Sequence, residues 1–278
     1  MTVARIEARF AALAAAGRAG FVPYIVAGDP DPETCWRMLE GLPGAGADLI
    51  ELGLPFSDPM ADGPAIQKGA QRALAAGMTT AGVLALANRF RHGDAETPLI
   101  LMGYYNPILA MGLERFADSA AQAGVDGLIV VDLPPEEAAP LAGALAGHDL
   151  ALIRLATPTT DAHRLATVAH GTAGFVYLVS VAGVTGGKEA DAALIKTRIE
   201  AVRAAAGLPV AVGFGIRTPQ RAAEIAAMAE AVVVGSALVE AVAESLALNR
   251  DPGAKVLASV GAMAQAVRSS RAGGSPWP

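Results

Sequence analysis

The stretch ELGLPFSDPMADGPAIQ, residues 51–67, opens at the end of an apolar run (ADLIEL, residues 47–52) and closes in a helix beginning near Ile66. It reads as a strand, a long loop and a helix. The loop carries three prolines, two glycines and two aspartates, more turn chemistry than a short strand-to-helix connection needs. A carboxylate at the end of an apolar strand, followed by another on the loop, suits acid–base work. Glu51 would be held by the strand, and Asp62 would ride on a loop able to close over a substrate. A plainer reading stands beside this one. Asp58 and Asp62 precede Pro59 and Gly63-Pro64 and can be turn formers, and Glu51 can be a buried partner of a distant arginine.

Working outward, the same strand-then-helix grammar repeats. Eight apolar, β-branched runs occur at residues 21–27, 47–52, 98–104, 127–131, 150–155, 174–178, 209–213 and 231–234. They are continuously hydrophobic and do not alternate, as expected of parallel strands buried on both faces. Alanine-rich amphipathic stretches lie between them, at 32–41, 66–76 with 80–91, 112–123, 135–146, 161–170, 190–206 and 218–228. Several open with start signals: Asp31-Pro32-Glu33, Pro134-Pro135-Glu136, Thr160-Asp161 and Thr218-Pro219. Eight such units without a composition break predict a single (β/α)8 TIM barrel, with a doubly wound open sheet as the alternative. Residues 3–16 would add an N-terminal helix and 255–268 a C-terminal one. The barrel would occupy residues 1–270 and a flexible tail 271–278 (RAGGSPWP).

Composition narrows the function. The chain has 278 residues, a formal net charge of −6 and no Lys/Arg cluster, which argues against a nucleic-acid surface. One cysteine, Cys35, excludes an internal disulfide or a multi-cysteine metal site, and beside Trp36 it reads as a small buried apolar residue. Mean hydropathy is +0.41, yet no apolar run approaches the ~20 residues of a membrane span. Residues 1–16 fit an amphipathic helix better than a leader. A cytoplasmic protein without membrane contact is expected. His92, His148, His163 and His170 fall on helices or loops away from strand C-termini, so neither catalysis nor metal binding is assigned to them.

In a barrel, functional residues belong just after the strand C-termini. Glu51 is there, as are Tyr104-Tyr105-Asn106-Pro107 and Asp132-Leu133-Pro134. Three glycine-bearing segments follow the sixth, seventh and eighth strands: Gly183–Gly187, Gly213–Ile216 and Gly235-Ser236. Glycines let backbone amides approach an anion, and barrels commonly cradle phosphate at these loops without a basic side chain. Residues 181–190 read as a lid, with Thr185 able to reach the carboxylates on closure or simply to cap a turn. Phe21, Met102, Tyr104, Ile129 and Tyr177 are candidates for the apolar part of the site, although each can equally be plain core.

Taken together, GDPDPE (28–33), ELGLPFSDPMADGPAIQ (51–67), LMGYYNP (101–107), GVDGLIVVDLPPEE (124–137), GVTGGK (183–188), VGFGI (212–216) and VVGSA (233–237) resemble the tryptophan synthase α-subunit family. They span nearly the whole chain in the family's order. The resemblance implies a TIM-barrel lyase of tryptophan biosynthesis, by convention a carbon–oxygen lyase, that cleaves indole-3-glycerol phosphate to indole and glyceraldehyde 3-phosphate. Indole would pass to a β-subunit in an α2β2 heterotetramer. Pyridoxal phosphate would be carried only by that partner, and no cofactor by this chain. Glu51 and Asp62 match the family's catalytic carboxylates. Gly186, Gly215, Gly235 and Ser236 match its phosphate site, with Tyr177 and Phe214 near. Phe21, Met102, Tyr104 and Ile129 match its indole pocket. Val181 and Ala182 stand at lid positions that are polar in some relatives, and Met102 stands where another aliphatic residue is common. Another phosphate-binding barrel would explain the glycine loops but not residues 51–67. Intact Glu51 and Asp62 oppose a catalytically silent partner, and a free-standing lyase would look the same in sequence.

Overall fold

The structure, a computed structural model, describes residues 3–157, 159–179, 192–213 and 215–271. Its strands are β1 (Gly20–Val26), β2 (Ile50–Gly53), β3 (Leu99–Gly103), β4 (Gly127–Val130), β5 (Ala151–Ile153), β6 (Leu155–Ala156), β7 (Val176–Val179), β8 (Val210–Gly213) and β9 (Ala231–Val234). They form one all-parallel sheet in the order β5-β4-β3-β2-β1-β9-β8-β7-β6. The two outermost strands are consecutive in the chain, with only Arg154 between them. β5 pairs with β4 through Ile129 and Ile153, while β6 pairs with β7 through Leu155 and Tyr177. The Arg154 carbonyl itself accepts the Tyr177 N–H at 3.0 Å. β5 and β6 are therefore halves of one strand, and through it the sheet closes into the expected eightfold barrel.

Around it, in chain order, lie α1 (Val3–Ala15), α2 (Pro32–Ala45), α3 (Pro64–Ala75), α4 (Thr80–Gly93), α5 (Tyr105–Met111), α6 (Leu113–Gln122), α7 (Ala139–Ala146), α8 (Ala162–Ala169), α9 (Ala192–Ala206), α10 (Pro219–Ala226), α11 (Ser236–Ala247) and α12 (Pro252–Ser269). The start signals act as read. Asp31, Asp161 and Thr218 each accept a first-turn N–H at the head of α2, α8 and α10. The stretch 135–146 is not one helix. Residues Pro135–Glu137 make a 3-10 turn and α7 starts afresh at Ala139, because Pro140 has no N–H to donate backward and its ring crowds the preceding turn. The segment after β3, read as a loop, forms α5, where Pro107 is accommodated in the first turn. α2 runs past the expected stop to Ala45, ending where Gly46 adopts φ 112 and donates to the Leu42 and Pro43 carbonyls. Both extra terminal helices are present as α1 and α12. Arg271 bonds the Ala226 and Ala229 carbonyls at 2.6 and 2.8 Å, and the rest of the expected tail lies outside the described residues.

Two apolar layers hold these elements. The outer one packs helices on the barrel wall and includes Phe21, Ile25, Ile50, Leu52, Leu101 and Leu128. The inner one fills the barrel with Val22, Ile100, Met102, Ile129, Tyr177 and Val233, and is plugged at the strand N-termini by Ile6, Phe10 and Leu13 of α1. The Phe10 and Phe175 rings meet there at 5.6 Å.

The same end is tied electrostatically. Asp48, Asp126 and Glu230 lie just before β2, β4 and β9, and each accepts the N–H at or beside the start of the preceding barrel strand: Phe21 at 3.0 Å, Leu99 at 2.8 Å and Val210 at 2.8 Å. Each is also paired with arginine: Asp48 with Arg18, Asp126 with Arg5 and Arg91, and Glu230 with Arg203. Replacing Asp126 by alanine would leave two guanidinium groups and a buried N–H without their acceptor. Asp126→Ala should destabilise the fold by about 3–5 kcal/mol in denaturant unfolding, and a loss within error would show the triad to be surface decoration.

Candidate active site

The inward face of β2 carries Glu51 between Tyr24 of β1 and Ile100 of β3, its register partners. The strand begins at Ile50 and runs to Gly53, so Glu51 sits inside it and not at its end, and residues 47–49 are the lead-in that carries Asp48. Glu51 is fully buried, and neither carboxyl oxygen has a hydrogen-bond partner among the described residues. Burial alone pushes its pKa up to about 8. A carboxyl in that state is protonated at neutrality and can both give and take a proton.

Asp62 approaches from the loop between β2 and α3. Burial raises its pKa to about 6, partly opposed by a hydrogen bond from the Tyr104 hydroxyl. That hydroxyl also accepts the Ala61 N–H at 2.9 Å, so Tyr104 clamps the loop as well as walling the site. The Phe56 ring packs on it at 5.3 Å. From α3 the Gln67 amide donates to the Asp62 carbonyl at 2.9 Å. Arg72 of the same helix is bound to buried Asp29, after β1, by two 2.7 Å hydrogen bonds. Asp62 is thus held by its backbone while its carboxylate stays at the barrel mouth.

Met102 and Ile129 face inward as register partners, as expected of pocket residues. Phe21 does not join them. It is wholly buried in the outer layer, and the inward positions of β1 belong to Val22 and Tyr24. In a run as uniformly apolar as FVPYIV the phase of the alternation is not legible, so the sequence does not single out Tyr24. Tyr24 and Tyr177 are placed alike. Each leans over the neighbouring strand onto a glycine two residues beyond its register partner, Gly53 for Tyr24 and Gly213 for Tyr177. A Cβ on those glycines would fall 2.2 and 1.9 Å from the two hydroxyl oxygens, so both positions require glycine. Glu51 and Asp62 act electrostatically on both phenols, so the four groups share one mouth.

The third wall is the start of α11. Gly235 and Ser236 open this helix with no capping side chain, and the Tyr24 ring lies 3.1 Å from where a Gly235 Cβ would be. Gly215 follows β8 at φ 75 and is exposed. Thr185, Gly186, Phe214 and the expected lid, including Val181 and Ala182, lie outside the described residues. Beyond the Ile129–Ile153 pair β4 and β6 part, leaving a cavity of about 400 Å³ bordered by Val131, Leu133, Pro134, Ile153, Arg154 and Leu155. Neither Glu51 nor Asp62 lines it. Among the described residues no group of His, Cys, Asp and Glu side chains gathers as a metal site, and no helix is long and apolar enough to cross a membrane.

Residues 10–268 match the family model described as tryptophan synthase alpha chain. The chain belongs to that family. It is 65% identical over 271 residues to the tryptophan synthase alpha chain of Phenylobacterium zucineum strain HLK1, covering 98% of both. Among solved structures it resembles subunit alpha of the Legionella pneumophila tryptophan synthase, with a TM-score of 0.89, 41% identity and coverage of 95% of this chain and 98% of that one. A Mycobacterium tuberculosis tryptophan synthase in an open form is similar at a TM-score of 0.84 and 34% identity, over 95% of this chain and 98% of that one. Membership as an alpha chain implies a β-subunit partner.

The isolated carboxyl has a consequence for stability. Glu51 binds its proton more tightly in the folded chain than in the unfolded one, so its contribution is fully present below about pH 4.5 and is lost as pH rises towards about 8. Glu51→Gln should therefore be near neutral at pH 4 and more stable than the parent at pH 9, by on the order of a few kcal/mol. Thermal melts of both chains across that range would check the sign, and a parallel pair of curves would show Glu51 to be ordinarily solvated.

Proposed function

We propose that Glu51 and Asp62 are the acid–base pair with which this chain cleaves indole-3-glycerol phosphate into indole and glyceraldehyde 3-phosphate. The observation that carries this reading is the Glu51 carboxyl, buried without a partner among the described residues and poised near neutrality in a mouth it shares with Asp62. The C3–C3′ bond is hard to break because an indole carbanion is a poor leaving group. Protonated Glu51 gives its proton to ring C3, forming a cationic indolenine. Asp62, ionised, accepts the ring N–H hydrogen bond and stabilises the positive charge. Glu51, now a carboxylate, takes the proton of the C3′ hydroxyl. The aldehyde forms as the C3–C3′ pair of electrons returns to the ring. Glu51 ends protonated, as it began, so the cycle balances.

The phosphate would rest on the α11 start at Gly235 and Ser236 and on Gly215, completed by Gly186 and flanked by Thr185, Tyr177 and Phe214. Met102, Ile129 and Tyr104 would flank the indole, with Tyr24 in the place first given to Phe21. Indole then passes to a β-subunit, which carries the pyridoxal phosphate, in a cytoplasmic α2β2 assembly. The mouth offers a surface for such a partner: Met60 and Leu109 are 82% and 54% exposed beside it, on the Asp62 loop and on α5.

Indole release from indole-3-glycerol phosphate, followed spectroscopically, tests the assignment. Release should be slow alone and rise strongly with a purified β-subunit. No rise would mean a free-standing lyase, and no release from folded protein would refute the carboxylate reading. Glu51→Gln and Asp62→Asn should each lower turnover by about 10²–10⁴-fold while the substrate still binds, and near-parental turnover in either would remove that residue from the chemistry. The pH profile of kcat/KM should be a bell, rising near 6 as Asp62 ionises and falling near 8 as Glu51 loses its proton. A profile flat from pH 5 to 9 would refute both roles.

A further inference from the structure

The Tyr24 hydroxyl is a polar group that neither the fold nor the acid–base pair uses. It lies on the inward face of β1, yet the residue is only half-buried, and the hydroxyl makes no hydrogen bond to another described residue. Burial and the carboxylates of Asp62 and Glu51 raise its pKa well above the usual phenol value, so it is a firm O–H donor at any working pH. It is not bonded to Glu51, whose oxygens have no partner among the described residues. Its place is set on both sides by close approach. The ring borders Gly235 at the start of α11, and the hydroxyl sits directly over Gly53, two residues past Glu51. The side chain therefore bridges the ground between the helix start that would hold the phosphate and the carboxyl that would act at the ring.

In indole-3-glycerol phosphate that ground is occupied by the glycerol chain, whose secondary hydroxyls are its only polar groups apart from the phosphate. We propose that the Tyr24 hydroxyl hydrogen-bonds a secondary hydroxyl of this chain, making Tyr24 a specificity residue for a hydroxylated linker between ring and phosphate. The proposal rests on the assignment of the two ends of the substrate given above. Its physical basis is that a polar group left unpaired in a partly desolvated site discriminates strongly between a ligand that pairs with it and one that does not.

The test compares two ligands on the full chain in a Glu51→Gln background, where turnover is slowed by about 10²–10⁴-fold. Indole-3-glycerol phosphate is one. Indole-3-propanol phosphate, with the same ring, chain length and phosphate but no chain hydroxyl, is the other. By calorimetry, adding Tyr24→Phe should weaken the first about tenfold and the second by less than about twofold. Equal weakening of both would show Tyr24 to be packing only, and no weakening of either would show its hydroxyl to be unused. Both results overturn the proposal. If the chain with Tyr24 intact binds neither ligand, the site assignment itself has failed and the proposal falls with it.

Discussion

Closure of the sheet is the constraint on which everything else depends. A parallel sheet left open exposes two edges of unpaired N–H and C=O groups. Here one strand, broken at Arg154, serves as both edges, giving its first half to β4 and its second to β7. Once closed, the strand C-termini point into one small mouth. Side chains distant in sequence, Tyr24, Glu51, Met102, Ile129 and Tyr177, must then face one another. Among the inward residues Ala151, Ala211 and Ala231 are small, which leaves room in the barrel for two tyrosines.

The two ends of the barrel treat charge in opposite ways. At the N-terminal end every acid named above, Asp48, Asp126 and Glu230, has an arginine and a backbone N–H as partners. At the C-terminal end Glu51 has neither among the described residues. Burying a carboxyl without a partner costs free energy, and a chain tolerates it where the rest of the fold is over-determined. Satisfied charges at one end and a bare carboxyl at the other is the division of labour expected of a barrel whose activity lies at one face.

Much of this was legible in the sequence because it is local. Continuous β-branched runs announce parallel strands, and Asp31, Asp161 and Thr218 announce helix starts. Glu51 stands out as a carboxylate late in the apolar ADLIEL run, followed by Asp62 on a turn-rich loop. What was not legible depends on phase or on long-range contact. Phe21 and Tyr24 are separated by three positions in a run that is apolar throughout, and only the register with β2 and β9 decides which faces inward. Gln67 looked like an ordinary helix residue until its amide was seen to hold the Asp62 carbonyl. The YNP segment carries loop residues, but Pro107 in a first turn is no barrier to α5.

Two carboxyls in one mouth would ordinarily titrate together. Here they are separated by the elements that carry them. Glu51 is on a strand, walled by Tyr24 and Ile100, and has lost water without gaining a partner among the described residues, so its proton is held to about pH 8. Asp62 is on a loop, closer to solvent, and receives the Tyr104 hydroxyl, so it ionises about two units earlier. Between those values one group is an acid and the other an anion, the state that the proposed cationic ring intermediate would require. Most of the difference arises from fold geometry, and the rest from the higher starting value of a glutamate. A strand residue cannot retreat to water, and a loop residue can be supplied with a donor. Exchanging the two positions, with the same two side-chain types, would give the acid a route to solvent and leave the anion without its hydrogen bond. Placing the glutamate on β2 and the aspartate on the loop would therefore itself be part of the proposed chemistry.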